Sequence, residues 1–497
     1  MGKESTVRKY NLALAAISCL FIVALHFPFL QADPDSQISW SRGANTDEGL
    51  YSMQVRNFIN HGDLTFKNSD GLLKTPLFSA TLYLPFKLFG TRLVVGRLTV
   101  LLISLLICWI ILGYNFYYGA LGFISIILVF TEYHIFHFFH FSLAELLSVS
   151  LIFLAVFLMA NSDKSRVRVR DSILPSICIT IAYFLKFQYV YSVLILPLAL
   201  IINGIIHTGH RKVLFWQFLQ TSAILSAGVL IYFVAWYIPN KEFYDFVVQD
   251  QVAHKFIKFS GFYDHLIYLK DSIFLKGYLK PFTLAMAILT ITGIVLLFKR
   301  SSVRFSYLFV ALACWFLVEL HKLTLVYLPT RYLISFLFAM GMVMSVVLLE
   351  LFMLKGRTWY LISAKVMLTL VLMSFIFRNA SSYYETYKRR TFVIKETDDY
   401  FARYDFGKKP LMGSWAPSLS WKSRALTYPV WMNFMNDKDI LSKYGPVAII
   451  AEPDEEDSNQ AYSLQGIDLN SLADSVKTVQ VNAWTLKIYW LKQGSGN

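Results

Sequence analysis

The sequence predicts a mainly α-helical, polytopic membrane protein with a small C-terminal α/β domain outside the bilayer, and three observations carry that prediction. Of the 497 residues, 56% are hydrophobic and 16% charged, with a mean hydropathy of +0.50; a soluble domain is roughly 45–50% apolar and about 25% charged. Eleven apolar stretches approach the roughly 20 residues a helix needs to cross a bilayer: 10–31, 92–113, 118–134, 141–160, 172–187, 189–206, 213–237, 279–298, 305–325, 332–354 and 358–377. Beyond Arg378 the chain takes on globular composition. Together these exclude a soluble enzyme, a disordered chain and a secreted disulfide scaffold. Cys19, Cys108, Cys178 and Cys314 each lie inside an apolar stretch and show no metal or disulfide spacing.

The first stretch follows Lys3, Arg8 and Lys9, and no small-residue cleavage site follows Phe27-Pro28-Phe29. It therefore predicts a retained signal anchor with a cytoplasmic N-terminus. Threading the chain from there places five short basic connections inside: the N-terminus, 161–171, 207–212, 299–304 and 355–357. Fourteen Lys and Arg lie in them against three acidic residues, as the positive-inside rule requires. The net charge of +14 is thus mostly an orientation signal, and nucleic acid is not an expected partner. The long segments 32–91 and 238–278 and everything after 378 fall on the opposite face. The membrane domain is expected at 1–378 and the external domain at 379–497.

In the first external loop, Thr46 or Asp47 is the expected cap of a short helix. That helix would lay Leu50, Met53, Phe58 and Ile59 on the membrane surface. Arg56 reads as decoration of it. The run Leu77 to Gly90, with Pro85 and Lys87 in it, is too short to span and reads as an interfacial or re-entrant helix. In the second external loop, Phe256, Phe259, Phe262 and Tyr263 interleave with His254, Lys255, Lys258 and His265 as a surface-lying amphipathic segment. His134, His137 and His140 recur every third residue around an outer turn. Aromatic belt or polar lining is the simpler reading of them, and His137 with Glu145 is the candidate ligand pair for a divalent metal.

After the last span, Tyr383 to Asp405 has helical spacing, and Pro410 to Trp415, Val447 to Ala451 and Val481 to Trp490 read as strands. The acidic run Glu452 to Asp457 reads as a solvated turn. No Gly-rich phosphate loop occurs, which speaks against a nucleotide-driven enzyme.

The combination of an apolar first span, Asp47-Glu48-x-x-Tyr51, Gly62-Asp63, Lys74-Thr75-Pro76-Leu77, Leu88-Phe89-Gly90 and Arg97-Leu98 opening the second span resembles the GT-C glycosyltransferases. The nearest branch groups protein mannosyltransferases, lipid A aminoarabinose transferase and rhizobial galacturonosyltransferases; Arg331-Tyr332 is a further match. The resemblance implies a GT-C fold and a polyprenyl-phosphate-linked sugar as donor. It implies a lipid, polysaccharide or protein hydroxyl as acceptor, transfer with inversion, and a site facing the periplasm or the cell exterior of a bacterial inner membrane. It makes Asp47 the general base, with Glu48 its neighbour and Glu145 the second acidic position, where many relatives carry Asp. It makes Lys186 a donor-phosphate ligand. By position, Arg331, Tyr332 and Lys74 join it as candidates, and guanidinium suits bidentate phosphate capture. Leu50 stands where aminoarabinose transferases carry Arg, so no particular sugar is implied. A flippase of lipid-linked sugars and a surface-polysaccharide polymerase are the alternatives; transporters usually carry repeats and broken helices at mid-membrane. All these candidates, with Lys322, fall on the external side in the threading.

Overall fold

The computed structural model describes residues 2–38, 41–64, 68–251, 285, 287–295, 303–324, 329–354, 359–433 and 435–492. The amphipathic segment expected around Phe256 to His265 and much of the 279–298 stretch lie outside the described residues.

The first helix, α1 (Gly2–His26), is followed by a loop built from α2 (Gly43–His61), α3 (Gly71–Lys74) and α4 (Pro76–Phe89). Then come α5 (Leu93–Leu112) and α6 (Phe116–Ser125), which runs into a π turn at Ile126–Phe130 and bends by 98° into α7 (Tyr133–Phe139). The body continues as α8 (Ala144–Ala160), α9 (Arg170–Leu185), α10 (Ile195–Ile206), α11 (Arg211–Tyr232), α12 (Lys241–Gln251), α13 (Val303–Glu319), α14 (Ile334–Met353) and α15 (Trp359–Arg389).

As far as they are described, the apolar stretches all fall on helices. Among the described residues seven helices are long and apolar enough to cross a membrane, or eight if the bent pair is one span. Of the three stretches that remain, 279–298 lies mostly outside the described residues and the other two fall short in length. The helices α8 and α9 have 17 and 16 residues, about 24–26 Å at 1.5 Å per residue, less than the roughly 30 Å hydrocarbon thickness.

Packing sorts the helices by exposure. Every residue of α14 from Ile334 to Glu350 is buried, so it is the axis of the bundle. By contrast, α15 exposes Ile362, Val366, Met367, Leu370, Met373 and Phe377, the apolar face expected of a helix against lipid. It runs through position 378 to Arg389 before the chain turns into α16 (Val393–Phe401).

The C-terminal part is a five-stranded sheet in the order β2-β1-β3-β5-β4. Its strands are β1 (Leu411–Met412), β2 (Thr427–Tyr428), β3 (Ala448–Ala451), β4 (Ala473–Val481) and β5 (Trp484–Leu491). The first three pair in parallel and β5 runs antiparallel to both β3 and β4. Gly413, just after β1, has φ of +120°, and a Cβ there would stand 2.1 Å from the Ile450 carbonyl oxygen, so only glycine fits.

The structure corrects the picture of α2. The helix begins at Gly43 with Arg42 as its N-cap residue, which puts Asp47 in the second turn instead of at the cap. Of the four apolar residues expected at the surface Met53 is fully buried while Phe58 is exposed, and residues Gly43 to Asn57 are buried except Leu50. The helix is enclosed between α4 and the segment Trp415 to Thr427. Arg56 is no decoration. Its guanidinium donates to the carbonyls of Ser420 (3.0 Å), Pro417 (2.5 Å) and Gly49 (3.1 Å) and stacks over Trp421 at 4.2 Å. A hydrophilic helix is buried here because its polar groups find partners hundreds of residues away, as buried polar groups must.

Candidate active site

Three elements meet beside α2: the start of α8, the chain leaving α9 at Lys186, and the 3-10 turn Thr330–Leu333 that opens α14. Asp47 and Arg331 pair at 2.8 Å (Oδ2 to Nε), both side chains buried. The approach depends on Gly43, one turn earlier on α2, where a Cβ would stand 2.0 Å from Arg331 Nη1. Burial pushes the Asp47 carboxyl above the ordinary aspartate range; Arg331 and Lys186 pull it down, and Glu145 and Asp70 push it up.

Glu145, in the first turn of α8, pairs with Lys186 through Oε1, both side chains buried. Its Oε2 is buried with no hydrogen-bond partner among the described residues. The Lys186 ammonium lies over the ring of Tyr51, 4.8 Å from its centroid, and 5.8 Å from that of Tyr332; such faces stabilise a desolvated cation. Arg331 also stacks on Tyr332, at 5.1 Å. Lys74, on α3, pairs with Asp70. Asp47, Glu145, Lys186, Arg331 and Tyr332 thus share one buried cluster, with the Lys74–Asp70 pair at its edge.

Glu48 is turned elsewhere. It is held by Arg97 of α5 at 2.9 and 2.6 Å and accepts the Ser142 backbone N–H at 2.5 Å. Arg97 also donates to the carbonyls of Phe29 and Ala32 at 2.9 and 2.7 Å. The Glu48 carboxylate therefore ties the end of α1, α5 and the turn before α8 to the helix that carries Asp47.

His137 does not join Glu145. Its ring packs with Tyr133 at 4.8 Å and His140 at 5.9 Å and lines a separate apolar cavity of about 350 Å³ with Phe21, Phe123, Ile376 and Tyr383. Among the described residues no group of three or more His, Cys, Asp or Glu is placed to hold a metal ion, and in the cluster each carboxylate faces a protein cation. The ligand set expected for a divalent metal is not assembled.

Sequence reasoning did not single out a second buried pair. Glu319, at the end of α13, faces Lys322 at 2.7 Å and accepts from Tyr191 (2.8 Å) and Ser335 (2.6 Å). Lys322 donates to the Tyr332 carbonyl at 2.8 Å and sits 5.1 Å from the rings of Tyr189 and Tyr191. This network fixes the turn carrying Arg331. Its sequence signal was a lone carboxylate ending an apolar helix; for Arg97 it was a guanidinium inside one. Both are costly placements that default to a functional reading.

A body of long apolar helices with a loop helix and a mixed sheet packed against one another beside it is an arrangement shared with solved proteins of the GT-C fold. The chain has this fold. It is similar over 96% of its length to ArnT from Cupriavidus metallidurans bound to undecaprenyl phosphate, with 97% of that chain covered, 13% identity and a TM-score of 0.57. The apo form of the same protein matches over 94% of this chain and 97% of that one, at 14% identity and a TM-score of 0.56. An oligosaccharyltransferase from Archaeoglobus fulgidus, in complex with Zn and sulfate, matches over 88% of this chain and 68% of that one, at 10% identity and a TM-score of 0.50. No family model and no curated protein matches the sequence.

Proposed function

We propose that the protein is a membrane glycosyltransferase that moves a sugar from a polyprenyl-phosphate donor to an acceptor hydroxyl with inversion, using Asp47 as general base. The observation that carries this reading is the buried Asp47–Arg331 pair beside Glu145–Lys186: a base and a leaving-group clamp side by side. The likeness in fold to ArnT bound to undecaprenyl phosphate supports the donor class.

In this reading the acceptor oxygen attacks the anomeric carbon, its proton passes to the Asp47 carboxylate, and the bond from that carbon to the phosphate oxygen breaks. The phosphate leaves with the bonding electrons. Arg331 and Lys186, with Lys74 at the edge, meet the charge that develops on it, an effect commonly worth about 10²–10³ in kcat for one donor. Burial raises the Asp47 carboxyl above the ordinary aspartate range and Arg331 works against that rise, so the carboxylate is a stronger base than a solvent-exposed one. In the same reading Glu145, whose Oε2 is buried with no hydrogen-bond partner among the described residues, accepts a hydrogen bond from a substrate hydroxyl. Tyr332 and Tyr51 flank the clamp.

The site would face the periplasm or exterior, with the N-terminus in the cytoplasm. Reporter fusions at both ends check this: opposite sides are expected, and two cytoplasmic ends would contradict it. For the activity, the purified protein in lipid nanodiscs is given a panel of radiolabelled polyprenyl-phosphate sugars with lipid and glycan acceptors. Label appearing in the acceptor with release of polyprenyl phosphate is expected. Translocation of the donor in proteoliposomes without transfer would instead show a flippase.

A further inference from the structure

We propose that the C-terminal domain is part of the catalytic apparatus, its Glu452–Glu455 corner through Arg42 and its Ser418 through the Thr46 carbonyl setting the position of the helix turn that bears Asp47. The proposal rests on Asp47 being the base.

The acidic run expected as a solvated turn is solvated at Pro453, Asp454, Glu456 and Asp457, but two of its carboxylates turn inward. Glu452 and Glu455 are both buried. Glu455 accepts from Ser414, from Ser458 at 2.7 Å and from Trp431 Nε1 at 3.0 Å, and Glu452 from Trp415 Nε1 at 2.9 Å. The C-terminal domain thus aims two carboxylates at one point with its own donors, and burying two such charges is costly unless a cation meets them. The cation is Arg42, which pairs with Glu455 and reaches Glu452 at 3.4 Å. Arg42 belongs to the first loop and is the N-cap residue of α2, next to the Gly43 on which Arg331 packs.

Two further segments grip the same turn. Ser418 Oγ donates to the Thr46 carbonyl at 2.9 Å, and Gly49 lets that segment close in, since a Cβ there would stand 2.4 Å from Ser418 Oγ. Asn482, in the turn between β4 and β5, donates to Asn45 Oδ1 at 3.2 Å and to the Pro34 carbonyl at 2.7 Å. Arg42, Asn45, Thr46 and Gly49 bracket Asp47 on both sides along the helix. None of the gripping groups touches the Asp47 carboxylate. They are positioning residues: they fix the helix turn, the turn fixes the carboxylate against Arg331, and a misplacement of about 1 Å at a reacting group costs on the order of 10²-fold in rate.

The test uses the full chain in nanodiscs with Arg42→Ala, Arg42→Lys and Ser418→Ala. The Arg42 side chain is 32% exposed, so truncating it leaves no cavity in a core. For Arg42→Ala, kcat is expected to fall roughly 10–100-fold with the donor KM little changed. The acidic limb of the pH–kcat profile should move to higher pH, because a carboxylate loosened from Arg331 and Lys186 but still near Glu145 and Asp70 holds its proton more tightly. Arg42→Lys restores part of kcat, and Ser418→Ala moves kcat in the same direction. Independently of activity, hydrogen exchange of 43–50 should speed up in Arg42→Ala while β3 and β5 keep their protection. An active wild type whose Arg42→Ala variant keeps its kcat, its pH profile and its exchange at 43–50 overturns the proposal. If the wild type transfers no sugar, the reading of Asp47 fails, and unchanged exchange at 43–50 still overturns the positioning role.

Discussion

Arg97 and Glu48 form a two-pronged ion pair in the protein interior, Nε to Oε1 at 2.9 Å and Nη2 to Oε2 at 2.6 Å. The neighbouring carboxylate, Asp47, points to Arg331 instead. Consecutive residues on a helix diverge by about 100°, so two adjacent acids reach different partners: one anchors the helix and the other is the base of the proposed reaction. Removing one partner of such a buried pair typically costs about 3–5 kcal/mol, whereas replacing both by apolar residues is often neutral. Glu48→Gln and Arg97→Met should each sharply lower the thermal unfolding midpoint of the detergent-solubilised protein, and the double variant Glu48→Leu/Arg97→Met should recover only part of it, since the Ser142 N–H and the Phe29 and Ala32 carbonyls stay unpaired. Equal losses in single and double variants would show that the pair is no anchor.

Gly43 tests how closely the base and its cation must approach. A methyl group at 43 would collide with Arg331 Nη1 and push the guanidinium aside while removing no charged group. Gly43→Ala is expected to cut kcat on the order of 10²-fold with unfolding little changed, as steady-state kinetics beside a melting curve will show. Full activity would mean that the Asp47–Arg331 contact is dispensable.

The pH profile follows from burial. Burial raises the Asp47 carboxyl above its ordinary range and Arg331 lowers it. A general base works only when deprotonated, so activity should fall as pH drops through a value above that of a solvent-exposed aspartate. Removing the guanidinium removes a lowering influence. In Arg331→Gln the residual activity should therefore lose its acidic limb at higher pH than in the wild type. A limb that moved to lower pH would contradict the assignment.

Lys186 pairs with Glu145 and is expected to meet the leaving phosphate. Lys186→Met should lower kcat by about 10²–10³ and weaken binding of free polyprenyl phosphate measured by displacement of a labelled donor. An unchanged displacement constant would restrict Lys186 to orienting Glu145.

The spans were legible because a bilayer forces composition: twenty apolar residues in a row have few other uses. The strands β3 and β5 were legible as apolar runs, whereas β2 has two residues and β4, with Asp474, Lys477 and Gln480 exposed, carries little apolar pattern. The burial of α2 could not be read. Asn45, Ser52, Gln54, Arg56 and Asn57 make it look like a solvent-facing helix, and the groups that satisfy several of them, such as the carbonyls of Ser420 and Thr427, lie more than 360 residues away. The acidic corner misled for the same reason, since nothing local announces that Arg42 will meet Glu455. Asp47, Glu145, Lys186 and Arg331 could be named from motif resemblance. That they pair two by two took three dimensions.

The central claim is that Asp47 takes the proton from the acceptor. Its most direct test is single-turnover transfer by Asp47→Asn with a saturating polyprenyl-phosphate sugar, beside an equilibrium measurement of donor binding on the same preparation. Donor binding within a few-fold of the wild type and transfer reduced by about 10²–10⁴, the usual share of a general base, is the predicted result; transfer at the wild-type rate with donor bound would contradict it.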